Sequence, residues 1–251
     1  MAQYLEIITV LKKGPLVMDG AMGTLLQSRG LPLNTPADIW NIEKPDEVLK
    51  VHQEYIKAGS RLIFTNTFCG MPEMIPAGCA LARKAAGEKT FVAGSLGPTE
   101  NLNEKTIELL LKQQIDLVVF ETMTKHSILE AAVKTTQRIN KKIKKIPIMV
   151  LMTLTRDGLL PSGEDPLRSV AWLENQNVEI VGLNCSFGPE LMFPVFEKIK
   201  QTTKCFVAVK PNEKIEAKRF IEAGANLIGG CCGTTPEDIR ELARMLRPSV
   251  S

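Results

Sequence analysis

Short runs of apolar and β-branched residues alternate with longer amphipathic stretches from one end of the chain to the other. Eight runs read as strands: LVMDG (16–20), RLIFTNTF (61–68), TFVAGSLG (90–97), DLVVFET (116–122), IPIMVLMTL (146–154), VEIVGLNCS (178–186), KCFVAVKPN (204–212) and ANLIGGCC (225–232). The segments between them carry helix-start signals. KPDEVLKVHQEYIKAG has Pro45 in its first turn, and TTPEDIRELARML offers Thr235 as N-cap, Pro236 at the first helical position and Asp238 three residues after the cap. Near-continuous apolar strands alternating with amphipathic helices indicate a parallel sheet covered by helices. Eight such units in 251 residues predict an α/β fold, a (β/α)8 TIM barrel forming a single compact domain over residues 1–251. A doubly wound open sheet is the competing arrangement, but the first strand-to-helix turn, MDGAMGTLLQ, lacks the GxGxxG fingerprint.

A barrel of this kind does its chemistry at the C-terminal ends of its strands. Read from the eight runs, those ends are Asp19 with Gly20; Thr65, Asn66 and Thr67; Ser95 with Gly97; Glu121 with Thr122; Thr153; Asn184 with Cys185; Pro211 with Asn212; and Cys231 with Cys232. Polar groups and thiols therefore gather at one rim.

Composition narrows the chemistry. With 44% hydrophobic and 24% charged residues the chain is globular, and its net charge of +3, clustered only at KKIKK (141–145), gives no reason to expect nucleic acid. No basic leader precedes an apolar core and no apolar stretch reaches bilayer-spanning length, so a soluble, cytoplasmic protein without a membrane partner is expected. Six cysteines are too sparse for a disulfide scaffold, and the two histidines, His52 and His126, are too few for a histidine-rich metal site. A metal site here must lean on sulfur.

The adjacent Cys231 and Cys232 alone are compatible with packing at the barrel's closure, with a redox couple, or with two ligands of one metal. Cys185 ends the sixth strand and lies at the same rim, so three thiolates can converge across the mouth, a donor set suited to Zn2+ with one position left for substrate. Neighbouring residues of a regular strand point to opposite faces, so the pair can share an ion only where the strand becomes irregular; Gly229, Gly230 and Gly233 permit that. Cys69, Cys79 and Cys205 do not converge on this point and read as structural.

MDGAMGTLLQ, TNTF, GSLGPT, FETMT, GLNCSFGPE, KPN and GGCCGTTPEDI, in this order, closely resemble the homocysteine-binding barrel of the homocysteine S-methyltransferases, a family that includes the N-terminal module of cobalamin-dependent methionine synthase and the betaine-dependent enzymes. The resemblance spans nearly the whole chain. It implies that Cys185, Cys231 and Cys232 bind zinc, that the sulfur of L-homocysteine takes the fourth position, and that Asp19 and Glu121 receive the substrate ammonium. Asp19 is also suited to capping the helix that follows it. Backbone amides of the Gly20–Ala21 turn and of Ser95 to Gly97 are candidates for the substrate carboxylate. Asn66 and Asn212 are neutral rim groups for orienting substrate or for ordinary turn hydrogen bonds, and the family's site makes Asn212 a temporary zinc neighbour as well. His52 and His126 receive no role.

The chain departs from the family chiefly by subtraction. MPEMIPAGCALARKAAG, the stretch after GSLGPT, and PNEKIEAKRF are all short, which predicts shortened loops over the mouth. An open mouth suits a bulky donor, and with two Trp and two Tyr placed outside the rim motifs an aromatic cage for betaine is not expected. The donor expected is methylcobalamin or a separate methylated corrinoid protein, with S-methylmethionine or S-adenosylmethionine as the alternative. A non-catalytic homocysteine- and zinc-binding subunit of a multi-component methionine synthase, and a thiol redox barrel, are the rival readings.

Overall fold

Every predicted run contains a strand, and all eight strands are parallel. In a computed structural model that describes residues 2–99, 103–143, 145–213 and 215–246, the strands are β1 (Leu16–Val17), β2 (Leu62–Phe64), β3 (Phe91–Leu96), β4 (Leu117–Met123), β5 (Ile148–Met152), β6 (Ile180–Asn184), β7 (Phe206–Lys210) and β8 (Leu227–Ile228). Lys144 of the basic cluster and parts of two of the loops read as short, residues 100–102 and 214, lie outside the described residues. The strand order is β1-β8-β7-β6-β5-β4-β3-β2. A parallel bridge between Met18 and Leu62, beside an Arg61 N–H to Val17 O bond of 2.8 Å, closes the barrel between its first two strands. The strands are shorter than the runs that announced them because the last residues of each run leave the ladder and form the rim.

Around the sheet lie α1 (Ala2–Leu11), α2 (Gly23–Ser28), a 3-10 turn at Ala37–Ile39, α3 (Trp40–Glu43), α4 (Pro45–Ala58), α5 (Ile75–Ala86), α6 (Glu104–Leu111), α7 (His126–Asn140), α8 (Pro166–Asn175), α9 (Pro189–Thr202), α10 (Ala217–Glu222) and α11 (Pro236–Met245). The expected start of α11 is realised in full: Thr235 accepts from the Asp238 N–H, and Asp238 accepts from the Thr235 N–H at 2.7 Å. Such a cap contributes about 1 kcal/mol.

Two apolar layers result from the period-two alternation of the strands. Inward-facing Leu62, Phe64, Ala93, Val119, Leu151 and Ala208 fill the barrel, whereas Ile63, Val92, Val118, Val150 and Val207 pack outward under the helices. The N-terminal helix was not evident in the strand pattern. Its Ile7 and Leu11 are buried with the interior cluster, so α1 closes the end of the barrel opposite the rim.

Candidate metal and substrate site at the barrel mouth

Continuing the same alternation by one step changes the chemistry. Two residues beyond inward-facing Ala93, Val119, Leu151 and Ala208 come Ser95, Glu121, Thr153 and Lys210, and Asn184 ends β6 in the same way. The barrel interior is thus apolar for most of its length and polar in its top layer, at the C-terminal ends of the strands.

The three thiols singled out by the sequence meet above this layer. The Sγ atoms of Cys185, Cys231 and Cys232 lie within 4.8 Å of one another, the one such group among the described residues, and the Cys185 and Cys232 sulfurs are 3.5 Å apart. Tetrahedral zinc with sulfur at about 2.3 Å needs sulfurs about 3.8 Å apart. Spacing and donor type both fit zinc.

Local backbone explains how neighbours in sequence reach one point. Cys231 and Cys232 lie beyond the end of β8, where the Cys231 N–H donates to Pro211 O at 2.8 Å and the Glu213 N–H to Cys232 O at 3.0 Å. Gly233 follows at φ +83°, a left-handed turn that a β-carbon would strain. Gly230 serves by its lack of bulk instead: a β-carbon there would stand 2.4 Å from the Thr234 side chain. Thr234 links the pieces, accepting the Ala21 N–H at 3.1 Å and donating to Cys231 O at 2.7 Å. Cys185 itself has φ +50° and donates its N–H to Lys210 O at 3.2 Å. Among the thiols, Cys232 is held down at about 3 by donation from Cys185 and Cys231, while Cys231 is pushed up by the same contacts. Cys185 is also raised, to about 11, so the three thiols favour a single negative charge, on Cys232.

Glu121 stands inside the mouth with its pKa raised, first by burial. Ser95 Oγ donates to its Oε1, and Asn184 Nδ2 lies 3.4 Å from its Oε2. Asp19 is differently placed. Its Oδ1 takes a 2.6 Å bond from Lys210 Nζ and its Oδ2 the Phe64 N–H at 2.7 Å, so its carboxylate is already engaged on both oxygens and does not cap the following helix.

The remaining expectations divide. Asn212 donates to Ser186 O at 3.2 Å, and its buried Oδ1 has no protein partner, which leaves an acceptor unused at the mouth. Asn66 is committed elsewhere: its amide donates to Ala37 O at 2.8 Å and Asn41 Oδ1 at 2.9 Å, tying the end of β2 to α3 and the turn before it. The amides considered for a carboxylate also have other acceptors, Thr234 for Ala21, Thr65 for Ser95 and Phe68 O for Gly97. Of that set, the Gly20 N–H has no acceptor among the described residues.

Cys205 Sγ donates to Val178 O at the opposite end of the barrel, beside a cavity of about 1030 Å³ that is remote from the thiols. Cys79 is buried on α5, and the Cys69 N–H donates to Asp38 at 3.1 Å. His52 is enclosed on α4, and His126 bonds Ser169 at 3.0 Å at the start of α7. Neither histidine faces the thiols. Lys210 is the functional neighbour that sequence reading passed over, and Asn184 was placed at the rim but given no role, although the inward parity of β6 and β7 points to both.

A family model described as homocysteine S-methyltransferase matches residues 16–246. The methionine synthases of Mycobacterium leprae (strain TN) and Mycobacterium tuberculosis (strain ATCC 25618 / H37Rv) are 30% and 29% identical, each over 95% of this chain. The chain spans only 25% of the length of either relative. The alignments extend over 299 positions, so within the matched region these relatives carry residues that this chain lacks, in keeping with shortened loops. The metallated form of the homocysteine methyltransferase MmuM from Escherichia coli superposes with a TM-score of 0.81 at 26% identity, covering 94% of this chain and 98% of that one. A 3-dehydroquinate dehydratase from Geobacillus kaustophilus HTA426, at 12% identity and a TM-score of 0.61, shares the fold alone.

Proposed function

Because the chain belongs to the homocysteine S-methyltransferase family, we propose that it transfers a methyl group to L-homocysteine, giving methionine, at a zinc site formed by Cys185, Cys231 and Cys232. The observation that carries this reading is the convergence of those three sulfurs within 4.8 Å at the barrel mouth.

Zinc bound by the three cysteines would supply the Lewis acidity that keeps a substrate thiol, ordinarily of pKa about 8.5, deprotonated and nucleophilic at neutral pH. The chain's own groups do the rest. With zinc bound, three thiolates would outweigh the charge of the divalent ion and leave the substrate sulfur electron-rich. Glu121, raised by burial and fixed by Ser95, receives the substrate ammonium. Asp19 contributes charge to the same end of the barrel, balanced by Lys210 at 2.6 Å. Gly20 N–H is the donor left for the substrate carboxylate, and Asn212 Oδ1 is an acceptor left for its ammonium. In the transfer, the S–CH3 bond forms as the donor's bond to that carbon breaks, with the donor keeping the electron pair and the thiol proton passing to solvent.

The donor we infer is methylcobalamin or a separate methylated corrinoid protein, for which shortened loops leave access. Trp40 and Tyr55 are buried under the helices and Trp172 packs against His126, which does not favour a betaine cage. The likeness to a homocysteine methyltransferase over 98% of the MmuM chain supports a second reading, a methyltransferase using S-methylmethionine or S-adenosylmethionine. The share of 25% of the mycobacterial enzymes supports a third, a homocysteine- and zinc-binding subunit of a larger methionine synthase.

One experiment sorts these. Zinc-loaded protein is given homocysteine with methylcobalamin, a methylated corrinoid protein, S-methylmethionine, S-adenosylmethionine or betaine, and methionine is measured. Methionine from either corrinoid donor is the expected result; methionine from a sulfonium alone supports the second reading, and none from any donor the third.

A further inference from the structure

The β4 strand breaks its register with β5 between Phe120 and Met123, and inside that break Thr122 adopts φ +59°. A bulge re-aims side chains at the cost of a ladder bond. The displaced Thr122 N–H is taken up at 2.8 Å by Asn184 Oδ1, a residue of β6 that reaches across the barrel interior past β5. The Asn184 amide nitrogen lies 3.1 Å from Thr122 Oγ1 and 3.4 Å from Glu121 Oε2. Ser95 holds the other carboxylate oxygen of Glu121.

Asn184 is fully buried and immediately precedes Cys185, whose backbone is itself left-handed at φ +50°. One side chain therefore stabilises the bulge that carries the carboxylate, while its own backbone leads directly into the thiol. A left-handed residue in β4 and another just past the end of β6 are tied together through a single amide. Left-handed conformations of this kind cost about 1–3 kcal/mol and persist where their surroundings enforce them.

We propose that Asn184 is a positioning residue for substrate recognition, fixing the Glu121 carboxylate relative to the Cys185 sulfur so that the amino group and the sulfur of one substrate molecule are gripped together. This rests on the homocysteine reading above and deepens it. The chemical consequence is selectivity for a thiol that carries an amine over the same thiol without one, because only the first uses both ends of the gauge.

The test measures, by calorimetry on zinc-loaded protein, the dissociation constants of homocysteine and of 4-mercaptobutanoate, its analogue lacking the amine. In N184A, homocysteine is expected to weaken by about 10-fold, the scale of one hydrogen bond to a charged group, with 4-mercaptobutanoate and zinc content little changed. E121Q/N184A is expected to be no worse than E121Q, since Asn184 acts through Glu121. Should N184A fail to fold, the similarly sized N184L removes the same bonds without setting a second carboxyl group beside Glu121, and the same amine-selective loss is expected. Equal weakening of both thiols, or additive effects in the double variant, overturns the proposal. If wild-type protein binds neither thiol, the homocysteine reading itself fails; if it prefers homocysteine and the variants keep that preference, only the role of Asn184 is refuted.

Discussion

Lys210 Nζ meets Asp19 Oδ1 at 2.6 Å inside the barrel, where both residues are only 3% exposed. The ring centroid of Phe64 lies 3.7 Å from the ammonium, and the Phe64 N–H bonds the other carboxylate oxygen. Burial pushes Asp19 up; for Lys210 burial acts downward, but attraction to Asp19 and Glu121 prevails and raises it. The pair stands at the junction of apolar interior and polar top layer. Its partners close around both charges.

Removing one partner of such a pair strands the other in a low-dielectric site. K210M is therefore expected to destabilise the fold by about 3–5 kcal/mol, measured by urea denaturation. D19N/K210M should recover much of that loss. A K210M protein as stable as wild type would mean that Asp19 sheds its charge without cost.

His52 gives a stability effect of known sign. It is wholly buried on α4, neither ring nitrogen has a partner, and burial lowers its pKa from 6.5 to about 4. The unfolded chain thus takes a proton between pH 6.5 and about 4 that the folded chain refuses, so stability is lost as pH falls through that window, by roughly 3 kcal/mol. H52L should abolish this loss and be no less stable at pH 7, because two unsatisfied nitrogens leave the core. The comparison of the two proteins isolates His52, since buried Asp38, raised to about 6, contributes the opposite slope to both. Denaturation midpoints from pH 4 to 7 that stay parallel would refute the assignment.

Gly230 tests the scaffold behind the thiols. A β-carbon there would displace Thr234, which bonds both Ala21 N–H and Cys231 O. Outer contacts of this kind are worth about 10–100-fold in metal affinity. G230A and T234A are both expected to weaken zinc within that range in competition with a chelating dye, whereas wild-type affinity in either would show that Thr234 does not orient Cys231.

Much of this arrangement was legible in the sequence, for reasons visible in particular residues. Apolar runs such as DLVVF and IMVLM located the strands, because strands buried on both faces have little room for polar residues. The strand ends then located Cys185, Cys231, Cys232 and Glu121 at one rim. What the runs obscured was facing within the rim. Asn66 follows a strand like the others, yet turns outward to Asn41, a pairing set by a segment more than twenty residues away in sequence. The amides of Ala21, Ser95 and Gly97 looked available until the fold brought Thr234, Thr65 and Phe68 to them. The pairing of Lys210 with Asp19 required the closed barrel, which sets the ends of β7 and β1 close together across the interior.

The central claim, that three cysteine sulfurs hold zinc and leave a place for the thiol of homocysteine, is tested most directly by zinc-edge X-ray absorption of the metal-loaded protein. Three sulfurs and one lighter atom at rest, becoming four sulfurs when homocysteine is added, is the expected result, with the resting sulfur count reduced in C185S, C231S and C232S. A zinc environment of nitrogen and oxygen, or one that homocysteine leaves unchanged, would contradict it.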